Sequence, residues 1–377
     1  MNSIDTIICL MLLLMAVPDI CRYLGRPALC NVFFVVFGLM LGPFVQAEVK
    51  TMLEQAGEVG FLLVLLEVGI EIELPPLRDF LPSLSYALGW SMVQYLLLLP
   101  VAHLSGLNLR DSLLAAGALS GCSISMAYPG WKGYDGLSGL SRDFVLQIMI
   151  ALEVLTIVIL TVGGAASKDG LTWWITIRLA GMALTIFLIS RFASHVTKMF
   201  QWIILKTTRW RVHFLVLLVL VICAVGAKLG LAAPKTAFFL GLFMARTHFQ
   251  GKGVEDYIAP ISRGFLIPVF FMSLGLLVDP KFLFSETSLL AVGCSVVLLG
   301  FREVLHRRWF KTGGDGGTFL LFCPNLTMSV LAANTLFEAG RPAAATWVVL
   351  SGLSLTVFSI CLLPKVKQDF ALSSGAG

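Results

Sequence analysis

Three ionisable side chains stand deep inside apolar runs long enough to cross a bilayer. Glu153 is the only mid-run charge of DFVLQIMIALEVLTIVILTV (143–162), Arg302 lies in LLAVGCSVVLLGFREVL, and Glu67 in FLLVLLEVGIEIEL. Arg178 is a weaker case, flanked by Thr172 and Thr176. A charge at mid-bilayer costs about 2.5–3.5 kcal/mol on insertion scales, so such residues face a bundle interior and handle protons or ions. A buried carboxylate favours its neutral form until a cation or donor compensates the charge. The structural alternative for Glu153 is an ion pair, most simply with Arg302, because a buried guanidinium also needs compensation. Glu67 could equally snorkel or pair with Arg178.

Uncharged polar residues interrupt two other runs. LLAAGALSGCSISMAYPGWKGY holds Ser120, Gly121, Cys122, Ser123 and Ser125 at its centre, and TFLLFCPNLTMSVLAANTLF holds Pro324 and Asn325. Proline removes a backbone donor and clashes with the preceding turn. Backbone freed at membrane depth must be buried in protein or line a wet cavity. Paired interruptions in distant parts of a chain point to a transport site built from half-helices. Cys122, Ser123 and Asn325, with Ser125 secondary, are therefore candidate ion- or proton-binding residues beside Glu153. The plainer reading is two kinked helices with Ser/Thr bonded back to the main chain.

The elements that position these residues follow from composition. Of 377 residues, 58% are hydrophobic and only 13% charged, with mean hydropathy +0.90. A hydrocarbon core of ~30 Å needs roughly 20 apolar residues per helical crossing, and runs near that length recur. This is an all-α polytopic membrane protein; the alternating ~10-residue segments of a β-barrel are absent. The net charge of +5 is spread through the connections, unlike a clustered nucleic-acid face. None of the eight cysteines forms C-x-x-C, so neither a zinc site nor a disulfide framework is suggested.

Proline, glycine and charge clusters divide the chain into thirteen spans: 4–17, 27–44, 57–73, 81–104, 110–128, 141–163, 171–190, 211–228, 234–248, 262–278, 286–305, 317–337 and 343–363. The first lacks a basic flank and a cleavage site, which favours a retained helix over a signal peptide. Alternate connections, starting with the one that holds Arg22 and Arg26, carry eighteen Lys and Arg against seven in the others. The positive-inside rule then places the N-terminus outside and the C-terminus inside. No connection is long enough to fold as a soluble regulatory domain. A single transmembrane domain over 1–377 is expected.

Several stretches together resemble the monovalent cation:proton antiporters of the CPA2 type, the transmembrane part of sodium/proton and Kef-type potassium/proton systems. They are YLGRPALCNVFFVVFGLMLGP, GFLLVLLEVGIEIEL with Gly69-Ile70-Glu71, GLAAPKTAFFLGLFMAR and, most specifically, IAPISRGFLIPVFFMSLGLLVDP. The resemblance runs from about residue 5 to 365. It implies a thirteen-helix homodimer with inverted repeats, in which a core carrying two broken, crossing helices slides against a dimerisation domain. It matches the family's sixth-helix polar pair to Leu152 and Glu153, its eleventh-helix basic residue to Arg302, and its fifth-helix crossing to Ser120-Gly121-Cys122-Ser123. Three departures stand out: Glu153 is longer than the usual Asp, Leu152 is apolar, and Cys122 is a soft ligand where sodium and potassium prefer oxygen.

The implied activity is exchange of Na⁺ or K⁺ for H⁺ across a membrane, a bacterial inner membrane on this resemblance, in the service of pH homeostasis. Glu153 would hold a proton or a metal ion but not both, Arg302 would compensate charge, and exchange would be electroneutral. No cofactor is expected, and the absence of a nucleophile–base pair, metal cluster or phosphate loop argues against an enzyme. Two alternatives stay open. One is a non-transporting membrane sensor or accessory subunit that keeps the fold, favoured by Leu152 and Cys122. The other is an organic-anion symporter on a related fold.

Overall fold

The computed structural model describes residues 3–26, 29–71, 77–137, 139–169, 211–228, 233–244, 248–249, 252–277 and 285–364. The described chain is helical apart from a two-residue ladder pairing His248 with Gly253. Its helices are α1 (Ser3–Tyr23), α2 (Cys30–Leu41), α3 (Ala47–Glu71), α4 (Leu77–Leu104), α5 (Leu109–Ser120), α6 (Ile124–Lys132) and α7 (Gly139–Asp169). They continue with α8 (Arg211–Lys228), α9 (Ala233–Met244), α10 (Val254–Ile261), α11 (Ile267–Leu277), α12 (Glu286–Arg308), α13 (Leu326–Glu338) and α14 (Pro342–Leu362). A π turn (Ser262–Leu266) joins α10 to α11, and a 3-10 turn (Thr318–Phe322) precedes α13. Seven described stretches are long and apolar enough to cross a membrane.

Twelve of the thirteen expected spans coincide with these elements; the seventh, with Arg178, lies outside the described residues. The boundaries shift for physical reasons. Helix α1 runs through Pro18 to Tyr23, because neighbouring helices can compensate a proline in a membrane helix. Helix α3 begins ten residues before the expected 57, since its first turns carry charge and an apolar run does not mark them.

The helices sort into two bundles. In the first, α3 packs on α9 and α11, α2 on α11, and α8 on α9 and α10. In the second, α4 packs on α5 and α7, α13 and α12 on α14, and α5 on α7 and α13. Between the bundles, α3 touches α6 and α2 touches α14. The contacts of the first bundle repeat with the chain halves exchanged, as an inverted repeat requires. Helices α2 and α11 meet at Gly38 and Gly275, where a Cβ on Gly38 would stand 2.1 Å from Met272 O. Helices α3 and α9 meet at Gly69 and Gly241, where a Cβ on Gly69 would stand 2.2 Å from Phe238 O. Small residues at such points let backbones approach without the hydrophobic force available in water.

Candidate functional site at the crossing of two broken helices

Helix α5 starts on Asn108, whose side chain accepts from the Asp111 amide at 2.9 Å, and stops at Ser120 because Gly121 turns to an extended conformation. A Cβ on Gly121 would stand 2.1 Å from Thr156 Oγ1 of α7, so only glycine lets α7 lie this close to the unwound backbone. Ser123 is also extended and opens α6. In the second segment the chain leaves its 3-10 turn at Cys323 and passes Pro324, and Asn325 opens α13. Both interruptions fall where the sequence places them.

The two breaks meet through the main chain: Ser123 N donates to Pro324 O at 2.7 Å. Side chains fasten the rest. Cys122 Sγ donates to Leu321 O at 3.4 Å, and the Ser123 and Thr327 hydroxyls bond at 3.2 Å. Asn325 Nδ2 reaches Leu119 O at 3.1 Å and Ala118 O at 3.4 Å, while its backbone N donates to Thr356 Oγ1 at 3.1 Å. Asn325 Oδ1 is buried and has no hydrogen-bond partner among the described residues. An acceptor of the crossing therefore stays uncommitted.

The charges divide between the helix ends. Glu153 is fully buried, and its Oε2 accepts from Ile124 N at 3.1 Å, which places a carboxylate on the electropositive start of α6. Arg302, also fully buried, donates from Nη2 to Leu119 O at 2.6 Å and from Nη1 to Phe322 O at 3.0 Å. Those carbonyls end the first arms of both broken segments, where dipoles are negative. Its Nε donates to Gln94 Oε1 at 2.8 Å, and Gln94 is held in turn by Trp90 O. The alternative of a Glu153–Arg302 ion pair is not what the geometry favours: Arg302 donates to two carbonyls and an amide. Unwound backbone compensates the guanidinium, and so the carboxylate is not needed for it.

Glu67 stands apart from the other candidates. It sits in the first bundle, away from the crossing, and accepts from Ser262 Oγ and, at 2.8 Å, from Arg263 Nε. The sequence left snorkelling and pairing with Arg178 equally open; Arg178 lies outside the described residues, and Arg263 stood at a span boundary. The extra residue of the π turn aims Ser262 and Arg263 at the same carboxylate. Of the other candidates, Cys122, Ser123, Asn325, Glu153 and Arg302 come together, and the side chain of Ser125 lies outside the described residues. Sequence reasoning missed Thr327, Thr156, Thr356 and Gln94. Thr327 had a readable signal, two positions past Asn325 in the broken run. The others are single polar residues in apolar helices with no spacing to mark them.

Residues 9–362 match the family model described as sodium/hydrogen exchanger, transmembrane. The chain belongs to this family. Among its relatives is a protein of Methanocaldococcus jannaschii described as probable Na(+)/H(+) antiporter 3, 22% identical, with 91% of each chain covered. The Na(+)/H(+)-K(+) antiporter GerN of Bacillus cereus is 21% identical over 68% of this chain and 67% of that protein. Of solved structures, the sodium proton antiporter MjNhaP1 from Methanocaldococcus jannaschii superposes with a TM-score of 0.66 at 14% identity, covering 96% of this chain and 95% of that one. That likeness establishes the exchanger fold, and with the apolar helices it makes the chain an integral membrane protein.

Proposed function

We propose that the protein is a cation:proton antiporter of the CPA2 type, exchanging Na⁺ or K⁺ for H⁺ by alternating access, with Glu153 as the shared ion and proton site. The observation that carries this reading is a fully buried carboxylate at the junction of two broken helices. A buried carboxylate is costly to ionise unless donors or a cation compensate it, so a proton and a cation can each load the site. If only loaded forms cross, the two gradients are coupled with no other energy source. Asn325 Oδ1 and the hydroxyls of Ser123 and Thr327 are the nearby oxygens suited to an alkali ion.

Charge counting supports electroneutral, one-for-one exchange. Arg302 donates to two helix ends and to Gln94 and takes no part in loading. The proton-loaded and cation-loaded sites then carry the same net charge. Alternating access would move the second bundle against the first, whose mutual contacts run along α3 with α6 and α2 with α14. The charge bias of the connections supports an outside N-terminus and a cytoplasmic C-terminus in a bacterial inner membrane, and the resemblance supports a homodimer with one transmembrane domain per chain.

Purified protein in liposomes containing a pH dye should respond to added Na⁺, K⁺ or Li⁺, and Glu153→Gln should abolish the response while the protein stays folded. Exchange that survives this substitution sinks the assignment. A non-transporting sensor is the second reading, favoured by the apolar, fully buried Leu152 beside Glu153 and by the Cys122 thiol committed to Leu321 O. It expects no dye response from the unaltered protein.

A further inference from the structure

Four arms leave the crossing, and their far ends are also tied. Where α13 stops, Arg341, three residues past Glu338, forms an ion pair with Asp111 in the first turn of α5 and reaches Asn108 Oδ1 at 3.5 Å. At the opposite end, where α6 stops, Tyr134, two residues past Lys132, donates its hydroxyl to Asp315 Oδ1 at 2.5 Å. The same Asp315 oxygen accepts from Gly317 N at 3.0 Å and from Thr318 Oγ1 at 3.3 Å, which fixes it at the start of the 3-10 turn. Each tie joins a residue just past the exit of one interrupted segment to an acid at the start of the other. The roles of the segments are exchanged between the two ends, which is the relation an inverted repeat imposes.

The Tyr134 tie is also anchored to the helix that carries Glu153. Arg142 of α7 donates to Tyr134 O at 2.7 Å and to Lys132 O at 3.2 Å, and its guanidinium lies 5.6 Å from the Trp131 ring centre. Tyr134 is buried although it lies in a connection. Burial and the neighbouring Asp315 push its phenol well above the usual tyrosine range, so it remains a donor.

We propose that Tyr134 with Asp315, and Arg341 with Asp111, are positioning residues: two clamps that hold the outer ends of the broken segments together and so keep Ile124 N and Asn325 in register with Glu153. The clamps differ in kind. Arg341–Asp111 joins two opposite charges, whereas Tyr134–Asp315 is a neutral donor on a carboxylate. The effect on transport rests on Glu153 being the ion site; the effect on the crossing itself does not.

Cys122, fully buried in the crossing, reports on the clamps directly. Full-length protein in vesicles is treated with N-ethylmaleimide, and labelling is followed for each cysteine peptide by mass spectrometry. Tyr134→Phe and Asp315→Asn are each expected to speed Cys122 labelling roughly tenfold, the size of one lost hydrogen bond to a charged group. The double variant should do no more than either single one, whereas Tyr134→Phe with Arg341→Gln should multiply the effects. Cys294, buried in α12, should label at the unaltered rate. The clamp variants should also need several-fold more cation for half-maximal exchange with the maximal rate retained. Cys122 labelling that is unchanged in Tyr134→Phe and Asp315→Asn overturns the clamps, and so does a parallel rise at Cys294, which marks general loosening. If Glu153→Gln continues to exchange ions, the ion-site assignment fails, and the labelling comparison still decides the clamps.

Discussion

Arg302 shows how one side chain can stabilise two distant backbone ends at once. Its acceptors are Leu119 O, Phe322 O and Gln94 Oε1, and Asn325 also serves Leu119 O. Replacing Arg302 with Met leaves Phe322 O and Gln94 buried without this donor, at ~1–3 kcal/mol each. A loss of about 2–6 kcal/mol is expected, read as a lower midpoint of thermal unfolding in detergent. Arg302→Lys keeps the charge but not the planar fork and should fall between the two. A midpoint for Arg302→Met equal to that of the unaltered protein would refute the capping role. The position of Arg302 was legible in the sequence as a charge in an apolar run, but its partners were not. Carbonyl acceptors have no sequence signature, and the only partner the sequence could offer, as an alternative, was the opposite charge of Glu153. The Arg263 partner of Glu67 was hidden in a similar way, because a π turn one residue wider than an α-turn cannot be read from apolar spacing.

At the scale of elements, proline and the Ser-Gly-Cys-Ser cluster were enough to locate both breaks, since they act on the backbone itself. What no pattern revealed is how closely the first bundle packs. A methyl on Gly241 would meet Leu66 O at 2.2 Å and Gly69 Cα at 2.8 Å, and one on Gly38 would meet Met272 O at 2.1 Å. Overpacking of this kind costs about 1–3 kcal/mol, so Gly241→Ala and Gly38→Ala should each lower the thermal midpoint by a similar amount. Gly293 of α12 has nothing within 4 Å of an added Cβ, and Gly293→Ala should be neutral or slightly stabilising. Equal midpoints for all three variants would contradict the close approach. The close approach at Gly38 and Gly241 could not be read from the sequence, because it depends on a partner helix in the other half of the chain.

For the whole molecule, the proposed electroneutral exchange has a direct consequence. Each net charge moved across a membrane couples to the potential by about 2.3 kcal/mol per 100 mV. One-for-one exchange should therefore run at the same rate whether the liposome potential is clamped at zero or near −100 mV. A clear acceleration by inside-negative potential would mean that more than one proton enters per cation. Sidedness can be read as well. Cysteines introduced at Arg308 and at Arg341 lie at opposite ends of the second bundle, and an impermeant maleimide added outside intact cells should modify only the latter. The all-α class and the broken pair were open to sequence reading because hydropathy and proline act on whole stretches of backbone, whereas a two-part organisation came only as what the family resemblance implies.

The Ser123–Pro324 bond joins amide to carbonyl, and no side chain takes part in it. Any residue except proline at 123 retains that donor, and any residue at 324 retains that acceptor. The joint can therefore survive while the groups around it are exchanged, and ion preference can drift without the frame being rebuilt. A glutamate beside a leucine, with a thiol nearby, would on this view be a change of furnishing inside unaltered walls.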